Sequence, residues 1–147
     1  MSLSLSLAET AMRFGEVPVG AVIVKDNKIV ATGYNRREMD NDPSAHAELI
    51  AIRQAAAALG SWRLLDCTLY VNLEPCVMCS GAIQQARLAR VVYAASDPKA
   101  GALGTLYEIH QDKRLNHNFE VSSGILESDS SKMLKQFFSK LRKEKNV

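Results

Sequence analysis

The sequence predicts an α/β fold, a three-layer α/β/α sandwich around one mixed five-stranded sheet. Three observations carry that reading. Short β-branched apolar runs recur along the chain, helical or Ala-rich stretches alternate with them, and a tight-turn signal joins the first two runs as a hairpin. With 147 residues, the chain fits a single domain, 1–147, long enough to bury a core without disulfides.

Residues 3–14 read as a short amphipathic helix, ended by Gly15 before Pro18. Residues 1–3 are compatible with an appended remnant, and the helix looks short at its start. Residues 17–24 are apolar and β-branched, Asp26-Asn27 supplies a tight turn, and 28–34 form the second strand. Asp42-Pro43-Ser44 marks a helix N-terminus with Ser44 as cap, and the helix runs through Ala-rich sequence to Leu59 and stops at Gly60. A third strand spans 67–73. Pro75 opens a helix that continues to about Leu88. Residues 90–95 form a strand and 101–104 a flexible Gly-containing loop. A short helix over 105–110, a strand over 119–121 and a basic C-terminal helix over 129–147 complete the set.

Hydrophobic residues make up 47% and charged residues 23% of the chain, values ordinary for a soluble globular protein. No apolar run reaches transmembrane length, and the opening Met1-Ser2-Leu3-Ser4-Leu5-Ser6-Leu7 has no basic segment typical of a secretory leader. A cytoplasmic location without membrane partners is expected. Cys67, Cys76 and Cys79 cannot all pair with one another, which argues against a disulfide framework. The net charge is +2, unevenly spread. From Lys132 onward five lysines and Arg142 face Glu144 alone, whereas the preceding residues carry a small acidic excess. Such a tail suits phosphate, although a solvated helix face accounts for it when it is taken alone.

Two motifs carry the chemistry: His46-Ala47-Glu48 and Pro75-Cys76-Val77-Met78-Cys79. Zinc accepts imidazole nitrogen and thiolate sulfur in tetrahedral sites, and three protein ligands leave a fourth position for water. Cys76 and Cys79, three apart at a helix start, face the same way, and the helix N-terminus favours thiolate. His46 completes the ligand set if the two helix N-termini converge at one edge of the sheet. Glu48 then stands close enough to exchange protons with a zinc-activated water without binding the metal. Either motif alone is weak: C-x-x-C also reads as a redox pair, and H-x-E occurs by chance. Together, each at a helix start, they specify a zinc hydrolase acting on a nucleobase amine.

Beyond these motifs the sequence resembles the bacterial transfer-RNA-specific adenosine deaminases of the cytidine deaminase-like superfamily. The resemblance runs from about Leu7 to Lys145. It includes Gly15-Glu16-Val17-Pro18-Val19-Gly20-Ala21, Gly33-Tyr34-Asn35-Arg36, Asp42-Pro43-Ser44-Ala45-His46-Ala47-Glu48 and Leu69-Tyr70-Val71-Asn72-Leu73-Glu74-Pro75-Cys76. Asp97-Pro98-Lys99, Leu115-Asn116-His117 and the tail around Phe137-Phe138 extend it. It implies a homodimer with one Zn2+ per subunit, converting the wobble adenosine of an arginine transfer RNA anticodon stem-loop to inosine.

The resemblance further implies that Asn35 and the main-chain N–H of Ala47 contact the flipped base. Val17, Pro18 and Leu73 would wall the slot, Asp97 and Lys99 would border the RNA channel, and Arg142 would meet phosphate on the tail. Phe137 and Phe138 are expected to anchor the last helix to the core. Plain alternatives stay open: a turn role for Asn35, core packing for the three apolar residues, and a solvated loop for Asp97 and Lys99. His117 reads best as a structural hydrogen-bond partner and Cys67 as an inert core thiol. A free guanine or cytosine deaminase of the same superfamily is the nearest rival. A non-catalytic RNA-binding zinc module leaves Glu48 idle, and a redox protein leaves both His46 and Glu48 idle.

Overall fold

The computed structural model describes residues 1–146. The chain opens with α1 (Ser2–Arg13), capped at its C-terminal end by Phe14. The segment 17–19 does not join the first strand as expected. Proline at 18 has no N–H to give a ladder, and Val19 N–H instead closes on Val17 O at 2.9 Å, a tight three-residue turn. The first strand β1 (Gly20–Lys25) starts only afterwards. Asp26 and Asn27 both have positive φ, 50° and 60°, the backbone of a type I′ turn, and lead into β2 (Lys28–Tyr34).

Helix α2 (Ala47–Leu59) begins later than the sequence indicates, with His46 and not Ser44 at its N-cap. Ser44 donates both N–H (2.8 Å) and Oγ–H (2.7 Å) to Asp42 Oδ1, so a local Asx turn uses the cap chemistry before the helix starts. Gly60, at φ 64°, ends α2 as expected. The strand β3 (Thr68–Leu73) leads to α3 (Val77–Gln85), whose N-cap is Cys76, so Pro75 lies just outside the helix. The strand β4 (Arg90–Ala95) follows. The helix expected over 105–110 is instead a single 3₁₀ turn at Ile109–Gln111, and β5 (Glu120–Ser123) precedes α4 (Glu127–Lys145).

The sheet order is β2-β1-β3-β4-β5. Strand β1 is antiparallel to both neighbours, while β3, β4 and β5 run parallel. Strands β2 to β5 therefore all point the same way and end at one edge of the sheet. Alternation along the strands separates two faces. Ala21, Ile23, Leu69, Val71, Val91 and Tyr93 face α2 and α3 in the main core, joined by Ala47, Ala51, Ala55 and Ile83 from those helices. The other face carries α1 and α4 at close range. A Cβ on Gly20 would lie 2.6 Å from Leu7 Cβ and 2.8 Å from Ala8 N, so only glycine admits α1 there. Ser4, Ala8 and Ala11 present that small surface.

Helix α4 is tied down near its start, and of the Phe137–Phe138 pair only Phe137 is half-buried. Asn72, fully buried on β3, accepts Gly20 N–H at 2.8 Å and donates to Pro18 O at 2.9 Å and Ser130 Oγ at 3.2 Å, while Ser130 Oγ donates to Asn72 O at 2.6 Å. Phe137 and Phe138 meet edge to face, but Phe138 is 40% exposed. Their i,i+1 spacing sends them to different faces of the helix.

Candidate active site

The convergence demanded by the two motifs follows from strand direction. The parallel alignment of β2 and β3 brings α2 and α3 back from the same edge on the same face of the sheet. Their N-caps, His46 and Cys76, are thus neighbours, and Cys79 is the third helical residue after Cys76. A cap residue and the residue three positions on lie on one side of a first turn, the spacing of a capping box. His46 Nδ1 lies 3.7 Å from Cys76 Sγ and 3.5 Å from Cys79 Sγ. All three donor atoms fall within 4.8 Å of one another.

The donor set fits zinc. With metal–sulfur bonds of about 2.3 Å and metal–nitrogen bonds of about 2.05 Å at tetrahedral angles, sulfur and nitrogen are held about 3.5 Å apart. The observed spacings match that value. Electrostatics agree: the Cys79 thiol beside it pulls Cys76 down to about 4, stabilising a thiolate. The same contact, with burial, pushes the Cys79 thiol up. His46 is raised mainly by its hydrogen bond to Cys76. A metal held by these three groups would displace the protons that the raised Cys79 and His46 retain.

Glu48 is the second residue of α2 and is 4% exposed. Burial raises its pKa, against the lowering influence of its own backbone N–H and of the neighbouring Cys79. A carboxyl with that bias takes up and releases protons nearer neutral pH than an exposed one. Ala47, at the first position of α2, has an N–H without an intrahelical acceptor and lies at the cleft wall.

The cleft over this cluster has a volume of about 200 Å³. That is below the roughly 300 Å³ at which pockets for drug-sized ligands begin, and suits one ring system. Every segment that reaches it leaves or enters the same sheet edge: Val17 and Val19 before β1, Asn35 and Arg37 after β2, His46 to Glu48 at α2, Leu73 at the end of β3 with Glu74 and Cys76 after it, and Asp97 and Ala100 after β4. Among residues singled out from sequence, Val17, Asn35, His46, Ala47, Glu48, Leu73, Cys76 and Asp97 line it, with Cys79 in the donor cluster.

Others lie elsewhere. Pro18 is fully buried and offers its carbonyl to Asn72. Lys99 is exposed on the loop and does not line the cleft, and Arg142 is exposed near the end of α4. Asn35 takes part in its local turn, accepting Arg37 N–H at 3.3 Å, and donates to Val17 O at 3.3 Å. Both bonds are long, and each end of the amide has capacity for a further partner. Asp97 Oδ1 accepts the N–H groups of Lys99 (2.9 Å) and Ala100 (3.2 Å), a turn-forming role. His117 Nε2 sits 2.8 Å from Leu88 O, a structural bond, and Cys67 is a buried thiol raised by that burial.

Two buried carboxylates escape a reading of the sequence. Glu16, at 0% exposure, accepts the N–H groups of Glu38 (2.6 Å) and Met39 (3.0 Å) and so holds the turn after Arg37. Glu74, at 2%, accepts from Asp97 N, Leu103 N and Thr105 N. The loop expected to be flexible at 101–104 is accordingly packed, with Gly101, Ala102 and Leu103 buried around that carboxylate. Glu16 lies in the Gly15–Ala21 block and Glu74 directly precedes Pro75. A glutamate flanked by apolar residues and proline is the one signal the sequence offers.

The family model of the MafB19-like deaminases matches residues 1–142. Along its whole length the chain is 46% identical to a tRNA-specific adenosine deaminase of Streptococcus pyogenes serotype M1, the match spanning 86% of that protein. It is 48% identical to the tRNA-specific adenosine deaminase of Bacillus subtilis (strain 168), again along its whole length and over 91% of the relative. Among solved structures, one from a study of A-to-I editing by tRNA:A34 deaminases at the wobble position of transfer RNA aligns with a TM-score of 0.88. That pair shares 44% identity over 91% of this chain and 97% of the other. A guanine deaminase from Bacillus subtilis aligns with a TM-score of 0.64 and 46% identity, over 71% of this chain and 67% of that one.

Proposed function

The chain belongs to the MafB19-like deaminases and, within them, to the tRNA-specific adenosine deaminases, and from that premise we propose that it converts adenosine to inosine in transfer RNA. The finer reading is the wobble adenosine of an arginine transfer RNA anticodon stem-loop, with one Zn2+ per subunit. The observation that carries the chemistry is the His46, Cys76 and Cys79 donor set at tetrahedral spacing beside buried Glu48, beneath a slot for one base. The wobble assignment rests on likeness to the tRNA:A34 deaminase structure.

His46 Nδ1, Cys76 Sγ and Cys79 Sγ would hold the metal, which when bound supplies Lewis-acid activation of a water. Glu48 does the proton work. Its carboxylate takes a proton from the attacking water and delivers it to the purine N1, then assists protonation of the leaving N6 amine. The C6–O bond forms, the C6–N6 bond breaks, and ammonia departs. The Ala47 N–H and the Asn35 amide orient the base, and Val17 and Leu73 wall it on apolar surface. Pro18 fixes the backbone of that wall. Asp97 meets a ribose hydroxyl, while Lys99 and Arg142 meet phosphates outside the slot.

The reading extends to a single deaminase domain acting as a homodimer. Val77, Met78, Leu106 and Tyr107 are 51%, 39%, 52% and 57% exposed, and such side chains are available to a second copy; the homodimer itself rests on the likeness to the family. No helix of the described residues is long and apolar enough to cross a membrane, and a cytoplasmic location is part of the proposal. A second reading, a free guanine deaminase, is favoured by the 46% identity to the Bacillus subtilis enzyme.

The deciding experiment measures inosine in an anticodon stem-loop with adenosine at the wobble position, beside free guanine and cytosine. A Glu48→Ala protein that retains zinc is the control. Inosine formation that disappears in the variant supports the proposal. Ammonia from a free base, with the stem-loop unchanged, moves the assignment to the second reading.

A further inference from the structure

Glu74 is an unusual residue to bury. A carboxylate 2% exposed loses most of its hydration, and none of the ion pairs among the described residues includes it. Its charge is met instead by donors from one short segment. Oε1 accepts Asp97 N–H at 3.1 Å and the Thr105 hydroxyl; Oε2 accepts Leu103 N–H at 3.0 Å and Thr105 N–H at 3.1 Å. Gly101 packs flat on the carboxylate, and a Cβ there would collide with it. Along the chain, Glu74 stands between Leu73, a cleft wall, and Pro75-Cys76, the entry to the metal-binding helix. The segment it gathers supplies Asp97 and Ala100 to the opposite wall. Ala102 N–H donating to Pro75 O at 2.9 Å is a second tie between the same two parts.

We propose that Glu74 is a positioning residue that sets the width of the base slot, by fixing the 97–105 loop against the β3–α3 junction that carries Cys76. Glu74 is itself among the residues that line the cleft, but the four hydrogen bonds of its carboxylate all go to the loop, so it acts on the slot through that segment. The proposal rests on the deaminase reading above for its kinetic consequence and on hydrogen bonding alone for its structural one. A carboxylate accepts at all four positions. A glutamine presents an NH2 group to two of the donors, so the loop loosens while the volume is kept.

The test is Glu74→Gln in the zinc-loaded protein, with three readouts. Zinc content is expected to stay at the wild-type level. KM for the stem-loop is expected to rise about tenfold while kcat falls no more than about threefold, the pattern of weakened substrate positioning. Amide exchange at Asp97, Leu103 and Thr105 is expected to quicken about tenfold or more, with exchange in β1 unchanged. Gly101→Ala should reproduce the pattern, and the double variant should be no worse than the more severe single one, since both act on one loop.

Thr105→Val, which removes only the hydroxyl donor, covers the case in which Glu74→Gln does not fold. It should show the same split at about threefold. Unchanged exchange at the three amides, or parallel loss of kcat, zinc and global stability with no change in KM, overturns the proposal. Should the wild-type protein leave the stem-loop untouched, the substrate reading fails, and the exchange arm still decides whether Glu74 holds the loop.

Discussion

Replacing Asn72 by alanine should cost more stability than removing any single methylene from the core. The amide serves Gly20 N–H, Pro18 O and Ser130 Oγ from a position with no solvent access. Alanine satisfies none of them, and water cannot reach the site without opening the packing of α1 or α4 on the sheet. Two backbone groups left unpaired cost about 1–3 kcal/mol each, and Ser130 retains its bond to Asn72 O. With the space left by the amide, the destabilisation should be about 3–5 kcal/mol. For a chain of this length that is roughly 10–15 °C in Tm. The measurement is urea unfolding followed by circular dichroism, with Ser130→Ala, expected to cost about 1–2 kcal/mol, as the comparison. A change below about 1 kcal/mol for Asn72→Ala, or a larger one for Ser130→Ala, would refute the claim that the amide is the joint between α4 and the 18–20 segment.

Glu48→Gln should keep the fold and the metal yet lower kcat by about 10²–10⁴, read by inosine release, since the amide cannot carry the proton. Cys76→Ser or Cys79→Ser should lose zinc measured by atomic absorption, and activity with it, while the circular dichroism spectrum is retained because neither sulfur belongs to the main core cluster and serine keeps nearly the same volume. Zinc uptake by the stripped protein should release protons at neutral pH in an indicator assay, because Cys79 and His46 are raised. Its affinity should therefore fall as pH falls, the direction set by proton competition for the same atoms. Changing Lys140, Arg142 and Lys143 together to alanine should raise KM for the stem-loop. It should also flatten the dependence of binding on log salt by about 0.7 for each phosphate that is no longer neutralised, without changing zinc content.

Much of the molecule is legible in its sequence because local chemistry and global topology agree. The type I′ turn at Asp26-Asn27, the stop at Gly60 and the β-branched runs of β2 and β4 each state their own geometry. His46, Cys76, Cys79 and Glu48 are readable because the chemistry demands those residue types at helix starts. The boundaries fail where a local alternative competes. Ser44 bonds to Asp42 and not to a helix end, and Pro18 turns the chain where apolar residues imply a strand. Phe138 looks like an anchor because aromatic residues usually are, yet it is 40% exposed. The small polar Ser130 holds α4 instead, through a partner 58 positions away that no periodicity reveals. Glu16 and Glu74 are invisible for a similar reason: a glutamate reads as solvent-exposed until the amides that surround it are placed by the fold.

The common direction of β2 to β5 divides the molecule into a working end and an idle one. The turn at 26–27 and the connections at 60–67, 86–89 and 112–119 all lie at the idle end, and none lines the cleft. Lengthening or cutting the chain there disturbs the entrances to strands and not the exits that carry chemistry. A circular permutant opened between Asp26 and Asn27, or a reporter domain inserted there, therefore leaves the relative placement of His46, Cys76, Cys79 and Glu48 to the intact edge.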